Sequence, residues 1–305
     1  MTEGILGERA RPRAASRAVA RPVISVPLAI TIGVALLGFV WMLVLLLRRA
    51  DGLATPAYDH AFFQQVVWNA SQGRGFVSNF SGGSFLGLHF SPILAVPALV
   101  ETVWADARVL TVFHVTALAA AGPAAFVFLR AAFRPSGLAP WLAAGIAAPI
   151  PIWSAVQEAG RADFHTESLA LPIALLAAWA AVTGRTKLML LFAAVILLAK
   201  EDQGFTVFMI GALAASRGAG PLGRSPIRRA GLAMMGAGLV WTLLVVGVIM
   251  PALRDGAPLA TDWYYGWILE DGGPVANLGR VVERLTAIEG WMAAGGLLLS
   301  GAALG

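Results

Sequence analysis

Long apolar runs, separated by short polar segments, recur along the whole chain. About 20 apolar residues are needed to cross the hydrocarbon core of a bilayer, and the first run, 24–47, has that length. It exceeds the apolar core of about 7–15 residues found in cleavable signal peptides, so we predict an uncleaved first transmembrane helix. The later runs are 109–129, 138–156, 168–183, 188–199, 203–215, 230–253 and one that begins at 291. This pattern predicts an all-α fold, a polytopic integral membrane helical bundle.

Some apolar stretches are short for a crossing helix. The runs 168–183 and 188–199 fall below a comfortable span. The stretch 91–104 is shorter than a span and contains two prolines, and a helix of its length would reach only about 21 Å. We therefore predict that 91–104 is a re-entrant or interfacial element.

The distribution of charge sets the predicted orientation. If 91–104 does not cross, the cytoplasmic segments are 1–23, 130–137, 184–187 and 216–229. These segments hold most of the lysines and arginines, and their only acids are Glu3 and Glu8. Because basic loops favour the cytoplasmic side, we predict a plasma-membrane protein with a cytoplasmic N-terminus.

The same topology gives the domain organisation. Residues 1–23 are predicted to be a disordered basic cytoplasmic tail, and 24–305 a single multi-pass membrane domain. A large outer loop, 50–90, follows the first transmembrane helix, and a second outer loop covers 254–290. The chain is still apolar at Gly305, so we expect a C-terminal truncation.

Composition excludes a soluble globular protein. Charged residues are 13% of the chain, against about 25% in soluble domains, too few to cover a surface in water. The net charge of +5 comes from arginines beside apolar runs, which indicates membrane orientation and argues against nucleic acid as a partner. The chain has no cysteine, so thiolate metal sites and disulfides are excluded. The lipid bilayer is the predicted partner, and the pattern sets no oligomeric state.

A charged motif, "AKEDQG", interrupts the apolar region between 188 and 215. Lys200, Glu201 and Asp202 would each cost roughly 2.5–3.5 kcal/mol at the centre of a bilayer. A turn at the membrane surface removes most of that cost. We therefore predict two helices joined by a charged outer hairpin.

Asp59 is the strongest candidate for chemistry in the first outer loop. At about 100° per residue it shares a helix face with Phe62, Phe63 and Val66. Desolvation on an apolar face would raise the pKa of Asp59 and suit a general base. The alternative is an acid in the first helical turn that the helix dipole favours.

Further polar residues fall on the same predicted side of the membrane. In "DFHTE", Asp163, His165 and Glu167 alternate, so an extended segment could bind a divalent cation, the candidate cofactor. The alternative is a loop in which Thr166 or Ser168 caps the next helix. The remaining substrate-binding candidates are Tyr58, His89, Lys200, Glu201 and Asp202.

Two basic residues have competing interpretations. Lys200 could bind a phosphate as a compact point charge, or it could form an internal ion pair with Glu201 or Asp202. His114 lies within an apolar run, where a lone histidine usually hydrogen-bonds a neighbouring helix.

Three separated segments carry a family resemblance. They are "YDHAFFQQVVWNASQGRGFVSNFSGGSFLGLHFSPIL", "DFHTESLALP" and "AKEDQG". In this order they resemble the membrane proteins grouped as domain of unknown function 2079, over residues 58–251. That family in turn resembles the C-type glycosyltransferases, polytopic enzymes that use lipid-phosphate-linked sugars at the outer membrane face. The resemblance places Asp59 at the acid of their first large outer loop and Lys200 at a lysine in a short outer hairpin.

The resemblance implies a glycosyltransferase-like protein that uses a polyprenyl-phosphate-linked sugar. Asp59 would then be the general base, Lys200 would lie near the phosphate, and His165 and Glu167 would position substrate or a cation. Two other classes stay open: a transporter or lipid-handling protein without chemistry, and a non-catalytic membrane scaffold.

Overall fold

The computed structural model describes residues 24–52, 57–81, 83–162, 164–217, 225–254, 266, 275 and 277–286. Of residues 57, 58, 281 and 284–286 it describes the backbone alone. The predicted basic tail 1–23 and most of the predicted second outer loop therefore lie outside the described residues.

The described residues are mostly helical, with a single pair of two-residue strands, which confirms the predicted all-α class. In order the helices are α1 (Val26–Asp51), α2 (Ala57–Ser71), α3 (Ala95–Glu101), α4 (Arg108–Ala132), α5 (Ala139–Ala147), α6 (Ser154–Arg161), α7 (Glu167–Val182), α8 (Thr186–Leu197), α9 (Gln203–Arg217), α10 (Pro226–Leu244), α11 (Met250–Ala252) and α12 (Leu278–Thr286). A π-helical turn, Val245–Ile249, joins α10 to α11, and short 3-10 helices cover Phe85–Gly87, Pro92–Leu94 and Ile150–Ile152. In the described parts of the chain, the strands are β1 (Val77–Ser78) and β2 (Gly83–Ser84), an antiparallel pair with Val77 opposite Ser84.

Among the described residues, four helical segments are long and apolar enough to cross a membrane, as a polytopic bundle requires. They are Val26–Asp51, Arg108–Ala132, Ala139–Arg161 and Pro226–Ala252. The helices α7, α8 and α9 have 16, 12 and 15 residues. At 1.5 Å per residue these reach about 24, 18 and 22 Å, short of a hydrocarbon core of about 30 Å. They complete the bundle as shorter apolar helices.

The apolar run 138–156 does not form the single helix that its composition predicts. Helix α5 ends at Ala147, a 3-10 turn follows over Ile150–Ile152, and α6 begins at Ser154 and continues to Arg161. Pro149 and Pro151 cause the break, because proline lacks the backbone N–H and clashes with the preceding turn. The apolar segment is therefore kinked and extends further than the run suggests.

Local sequence explains where other helices begin and end. The Ser225 hydroxyl accepts a hydrogen bond from the Arg228 N–H, and Pro226 occupies the first helical position of α10, the favoured arrangement for a helix start. After α7, Gly184 adopts a left-handed φ of 72°, the usual glycine stop. The Arg185 N–H then donates to the Ala180 carbonyl at 2.8 Å.

Helices α9 and α10 approach each other through facing glycines. A Cβ atom on Gly211 would lie 2.6 Å from the Gly231 carbonyl oxygen and 3.0 Å from the Met235 nitrogen. Such backbone proximity is typical of membrane helices that pack through small residues. The facing glycines therefore allow α9 to pack closely against α10.

An aromatic core lies beneath the polar ends of α2 and α7. Phe63 packs edge-to-face on Phe85 and Phe164, with centroids 5.5 Å and 5.2 Å apart, and Phe62 contacts Phe85 at 5.2 Å. Such geometries are favourable for aromatic pairs. This core ties α2 to the loop before α3 and to the segment before α7, so it positions the polar residues of all three.

The stretch 91–104 forms a short element that packs against α2 and α4. The 3-10 turn Pro92–Leu94 leads into α3, which has seven residues and reaches about 10 Å. Its length is too short for a span, and its place relative to the bilayer stays a prediction.

Candidate functional site

Helix α2 carries the predicted apolar stripe on its buried face. Phe62, Phe63 and Val66 are all buried, which agrees with the face inferred from helical spacing. Asp59 is different, because 44% of its side chain is exposed. The predicted desolvation of Asp59 is wrong, because the residue lies in the first turn of α2 and its side chain is accessible to solvent.

His165 lies beside Asp59. The His165 Nε2 atom is 3.9 Å from the Asp59 Oδ2 atom, and 46% of the imidazole is exposed. The His165 ring also packs on Phe63, with centroids 6.3 Å apart. The 3.9 Å between Nε2 and Oδ2 is too long for a direct hydrogen bond. Because both side chains are partly exposed, a hydroxyl-bearing molecule can reach both groups.

Lys200 pairs with Glu167, which corrects the expectation of a pair with its neighbours. The Lys200 Nζ donates to the Glu167 Oε1, joining the α8–α9 turn to the first turn of α7. Partial burial alone lowers the pKa of Lys200, but the hydrogen bond and charge of Glu167 outweigh it and raise the pKa. Lys200 therefore stays a cation at neutral pH.

Glu201 links three parts of the chain. Its carboxylate accepts from the Phe90 N–H at 3.0 Å and contacts the His89 Nδ1 at 3.0 Å. Its backbone carbonyl accepts from the Thr242 hydroxyl of α10 at 3.1 Å. Burial raises the pKa of Glu201, but the His89 hydrogen bond and charge lower it below its ordinary value overall. Glu201 is thus an ionised anchor for the loop before α3.

Ser91 and Thr166 are two buried residues that the sequence did not single out as a contact. Their hydroxyl oxygens lie 3.3 Å apart, between the His89 loop and the start of α7. Thr166 makes no side-chain cap to α7, contrary to one interpretation of the motif. One feature of the sequence could have indicated this contact: Ser91 is a polar residue at the start of the largely apolar stretch 91–104.

The structure joins most of the predicted site residues into one group, named the polar cluster. It consists of Asp59, His89, His165, Glu167, Lys200 and Glu201. Asp202 is exposed and accepts a hydrogen bond from the Gln203 amide at 3.1 Å, so it lies at the margin. Asp163 and the side chain of Tyr58 lie outside the described residues.

The end of the "DFHTE" segment is helical, whereas the predicted cation site needs an extended chain, and Asp163 lies outside the described residues. Thr166 has helical backbone angles, φ −65° and ψ −26°, and Glu167 already belongs to α7. The His165 and Glu167 side chains therefore do not share a strand face, and Glu167 is engaged by Lys200. Across the described ranges, no group of three or more His, Asp or Glu side chains is placed to hold a metal.

An apolar cleft of about 500 Å³ opens between the helices of the bundle. It is lined by residues of α3, α4, α7 and α8 and the turn before α3, among them Ile93, Phe113, Leu169, Ile173 and Val195. Leu169 lies two residues after Glu167, and the Ile93 N–H donates to the Leu198 carbonyl at 2.8 Å, two residues before Lys200. The cleft therefore begins within one helical turn of the ion pair.

His114 makes the interhelical contacts predicted for a lone histidine in an apolar helix. Its Nδ1 lies 2.9 Å from the Ser168 hydroxyl, and its Nε2 lies 3.2 Å from the Ala159 carbonyl. Ser168 in turn donates to the His165 carbonyl at 2.7 Å. His114 thus fixes α4 to α6 and supports the segment that carries His165.

The geometry suits recognition of an amphiphile. The polar cluster offers an accessible carboxylate–imidazole pair and a cation in the α8–α9 turn, and the adjoining cleft offers apolar walls. Apolar burial stabilises a bound hydrocarbon by roughly 0.8 kcal/mol per CH₂. A ligand with a charged head and a long chain can use both parts.

Comparison with family models gives one match, to the family described as predicted membrane protein (DUF2079), over residues 49–289. Comparison with curated proteins and with solved structures found no match. The matched range covers well over half of the chain and extends on both sides of the 58–251 region suggested by the motifs. The chain belongs to this family of membrane proteins of unknown function.

Proposed function

We propose that this protein is a glycosyltransferase-like membrane enzyme that uses a polyprenyl-phosphate-linked sugar at the outer face of the plasma membrane. The observation that supports it is the position of Glu167, the ion-pair partner of Lys200, within one turn of α7 from Leu169, which lines the 500 Å³ apolar cleft. Cation and cleft match the phosphate and the chain of such a donor. In the protein a cation is followed by an apolar cleft, and in the donor a phosphate is followed by an apolar chain.

The chain of the donor enters the cleft between α3, α4, α7 and α8. The phosphate lies at the cleft mouth, where Lys200 exchanges part of its contact with Glu167 for a phosphate oxygen. An ammonium is a suitable point charge for a phosphate. The sugar then extends towards Asp59 and His165, whose side chains are accessible.

Asp59 acts as the general base. It takes the proton of an acceptor hydroxyl as that oxygen attacks the anomeric carbon of the sugar, and the bond from this carbon to the phosphate oxygen breaks. The polyprenyl phosphate leaves with the bonding electrons and is stabilised by Lys200. One displacement of this kind inverts the anomeric configuration, as in inverting transfer with a carboxylate base.

The test is transfer of a labelled sugar from polyprenyl phosphate in membranes that contain the protein. Asp59→Asn keeps the size of the side chain and removes the base, so we expect transfer to fall by about 100-fold or more. Asp51→Asn, at an exposed acid at the end of α1, is the matched control and retains activity. Full transfer by Asp59→Asn would remove Asp59 from the mechanism.

The second candidate is a lipid-handling or transport protein without chemistry. It is favoured by the exposure of Asp59 and by the ion pairs of Lys200 with Glu167 and of Glu201 with His89, since none of these features requires a reaction. The same membranes distinguish the two classes. Binding or movement of polyprenyl phosphate across the bilayer with no covalent product supports the second candidate.

A further inference from the structure

A second groove lies between the end of α1 and the end of α6. It has a volume of about 610 Å³ and is lined by Trp41, Leu45, Arg49, Glu158, Arg161 and Ala162. The three residues from α1 are spaced four apart, so they stand one above another on a single helix face. An aromatic ring, an aliphatic side chain and a cation therefore follow in order over about 12 Å.

The polar end of the groove brings two arginines together. The Arg49 Nη1 donates to the Arg161 carbonyl at 3.3 Å, which links the last turn of α1 to the last turn of α6. Arg161 also pairs with Glu158 at 2.9 Å, with 44% and 70% of the two side chains exposed. Exposed pairs of this kind contribute little, so Arg161 can exchange Glu158 for a stronger anion.

The apolar end of the groove continues the lipid-facing surface of α1. Leu37 and Trp41 on this helix are 72% and 62% exposed, in a segment long enough to cross a membrane. Exposed apolar surface on such a helix is covered by acyl chains, and tryptophan favours the level of the headgroups. A lipid can therefore enter the groove sideways from the bilayer.

We propose that this groove binds one anionic phospholipid of the surrounding membrane. Its phosphate lies between the Arg49 and Arg161 guanidinium groups, and its acyl chain runs along Leu45 and Trp41. Two cations against one acid select a lipid with net negative charge. Guanidinium groups bind phosphate oxygens through paired N–H donors, which gives geometric specificity as well as charge. No residue that lines the groove belongs to the polar cluster, and the proposal does not depend on the proposed transfer reaction.

The test measures lipid binding to the purified full chain in detergent, by mass spectrometry of intact complexes. The probes are phosphatidylglycerol and phosphatidylcholine with identical chains. We expect the protein to prefer phosphatidylglycerol, and Arg49→Gln/Arg161→Gln to weaken that binding by about tenfold or more, given the contribution of each basic residue near a lipid surface. Binding of phosphatidylcholine changes less.

The control is Arg134→Gln/Arg217→Gln, which removes the same charge at two exposed positions away from the groove. It leaves the preference for phosphatidylglycerol in place. An equal loss in this control, or equal affinity of the unaltered protein for the two lipids, overturns the proposal. Displacement of the lipid by glycerol 3-phosphate at equal concentration would also overturn it, because the acyl chain would then contribute nothing.

A second pair of variants keeps the test decisive if the glutamine pair does not fold. Arg49→Lys/Arg161→Lys retains both charges and loses the planar donor forks. We expect it to bind phosphatidylglycerol several-fold more weakly while still preferring it to phosphatidylcholine. Unchanged affinity in this pair contradicts bidentate recognition of the phosphate.

Discussion

Lys200 shows how the partner of a charged side chain depends on contacts far along the chain. The sequence placed Glu201 and Asp202 beside it, yet the structure pairs Lys200 with Glu167 and leaves Glu201 to His89 and the Phe90 N–H. A turn directs successive side chains to different neighbours, so adjacency in sequence is a weak guide to ion pairing. The sequence was enough to select these charged residues as site candidates, but it did not indicate their partners.

Glu101 is a second case at this scale, and no sequence pattern pointed to its burial. It is 1% exposed, and its Oε1 accepts from the Gln64 amide at 2.6 Å. Its Oε2 has no hydrogen-bond partner among the residues described. Burial raises the pKa of Glu101 and Asp106 adds to this, whereas the Gln64 hydrogen bond lowers it; the net direction is upward from 4.5.

This raised pKa predicts a pH dependence of stability. The folded state holds the proton of Glu101 to higher pH than the unfolded chain does. The stabilisation by protonated Glu101 is therefore complete below pH 4.5 and is lost as pH rises through the folded-state pKa. Glu101→Gln mimics the neutral acid and is expected to flatten that part of the profile. Thermal unfolding in detergent between about pH 4 and 8 measures it.

The control for Glu101→Gln is Glu158→Gln, the same change at an exposed carboxylate. That variant is expected to keep the decline of stability with pH. If Glu101→Gln and the unaltered protein show the same pH profile, Glu101 is not the group responsible.

At the scale of helices, periodicity and length located the elements, and proline and glycine set their detail. The apolar run 138–156 breaks into α5 and α6 because Pro149 and Pro151 remove backbone hydrogen bonds. The turn after Leu197 confirms that the charged motif separates two helices, α8 and α9. Composition alone did not indicate that the run 138–156 breaks, because prolines are tolerated in membrane helices when neighbours compensate.

The contact between α9 and α10 makes a prediction at this scale. Gly211→Val places side-chain atoms against the Gly231 carbonyl, which lies 2.6 Å from a Cβ at Gly211. The two nearest atoms, the Gly231 carbonyl oxygen and the Met235 nitrogen, belong to the backbone. They cannot move aside as a flexible side chain would, so the helices must separate. We expect a loss of stability of about 1–3 kcal/mol, seen as a lower thermal unfolding temperature in detergent.

Gly236→Val is the matched control on α10. A Cβ at Gly236 meets no atom within 4 Å, and valine has a better helix propensity than glycine. We expect this variant to be as stable as the unaltered chain or slightly more stable. Equal destabilisation by both variants would mean that the facing glycines do not control the packing of these helices.

At the scale of the whole molecule, tertiary packing assembles the polar cluster from four separate segments. They are α2, the loop before α3, the start of α7 and the α8–α9 turn. The topology inferred from charge had placed all four on one side of the membrane, and their contacts fit that arrangement. Orientation relative to the two sides of the membrane stays a prediction.

Absence of cysteine from the chain makes the orientation directly testable. Gln72→Cys and Ser216→Cys introduce single thiols at exposed positions that the topology places outside and inside, respectively. A membrane-impermeant maleimide added to intact cells is expected to label Gln72→Cys and to spare Ser216→Cys until the cells are lysed. The reverse pattern of labelling would invert the topology and move the polar cluster to the cytoplasmic side.

The sequence by itself determined that this is an all-α membrane protein, where its main helices lie and which family it belongs to. These features depend on composition and on local periodicity, which are properties of neighbouring residues. Only the tertiary structure decided that Lys200 meets Glu167, that Asp59 is accessible rather than desolvated, and that an apolar cleft begins beside the ion pair. The physical reason is that burial and pairing are set by how helices pack, and packing joins residues that are far apart in the chain.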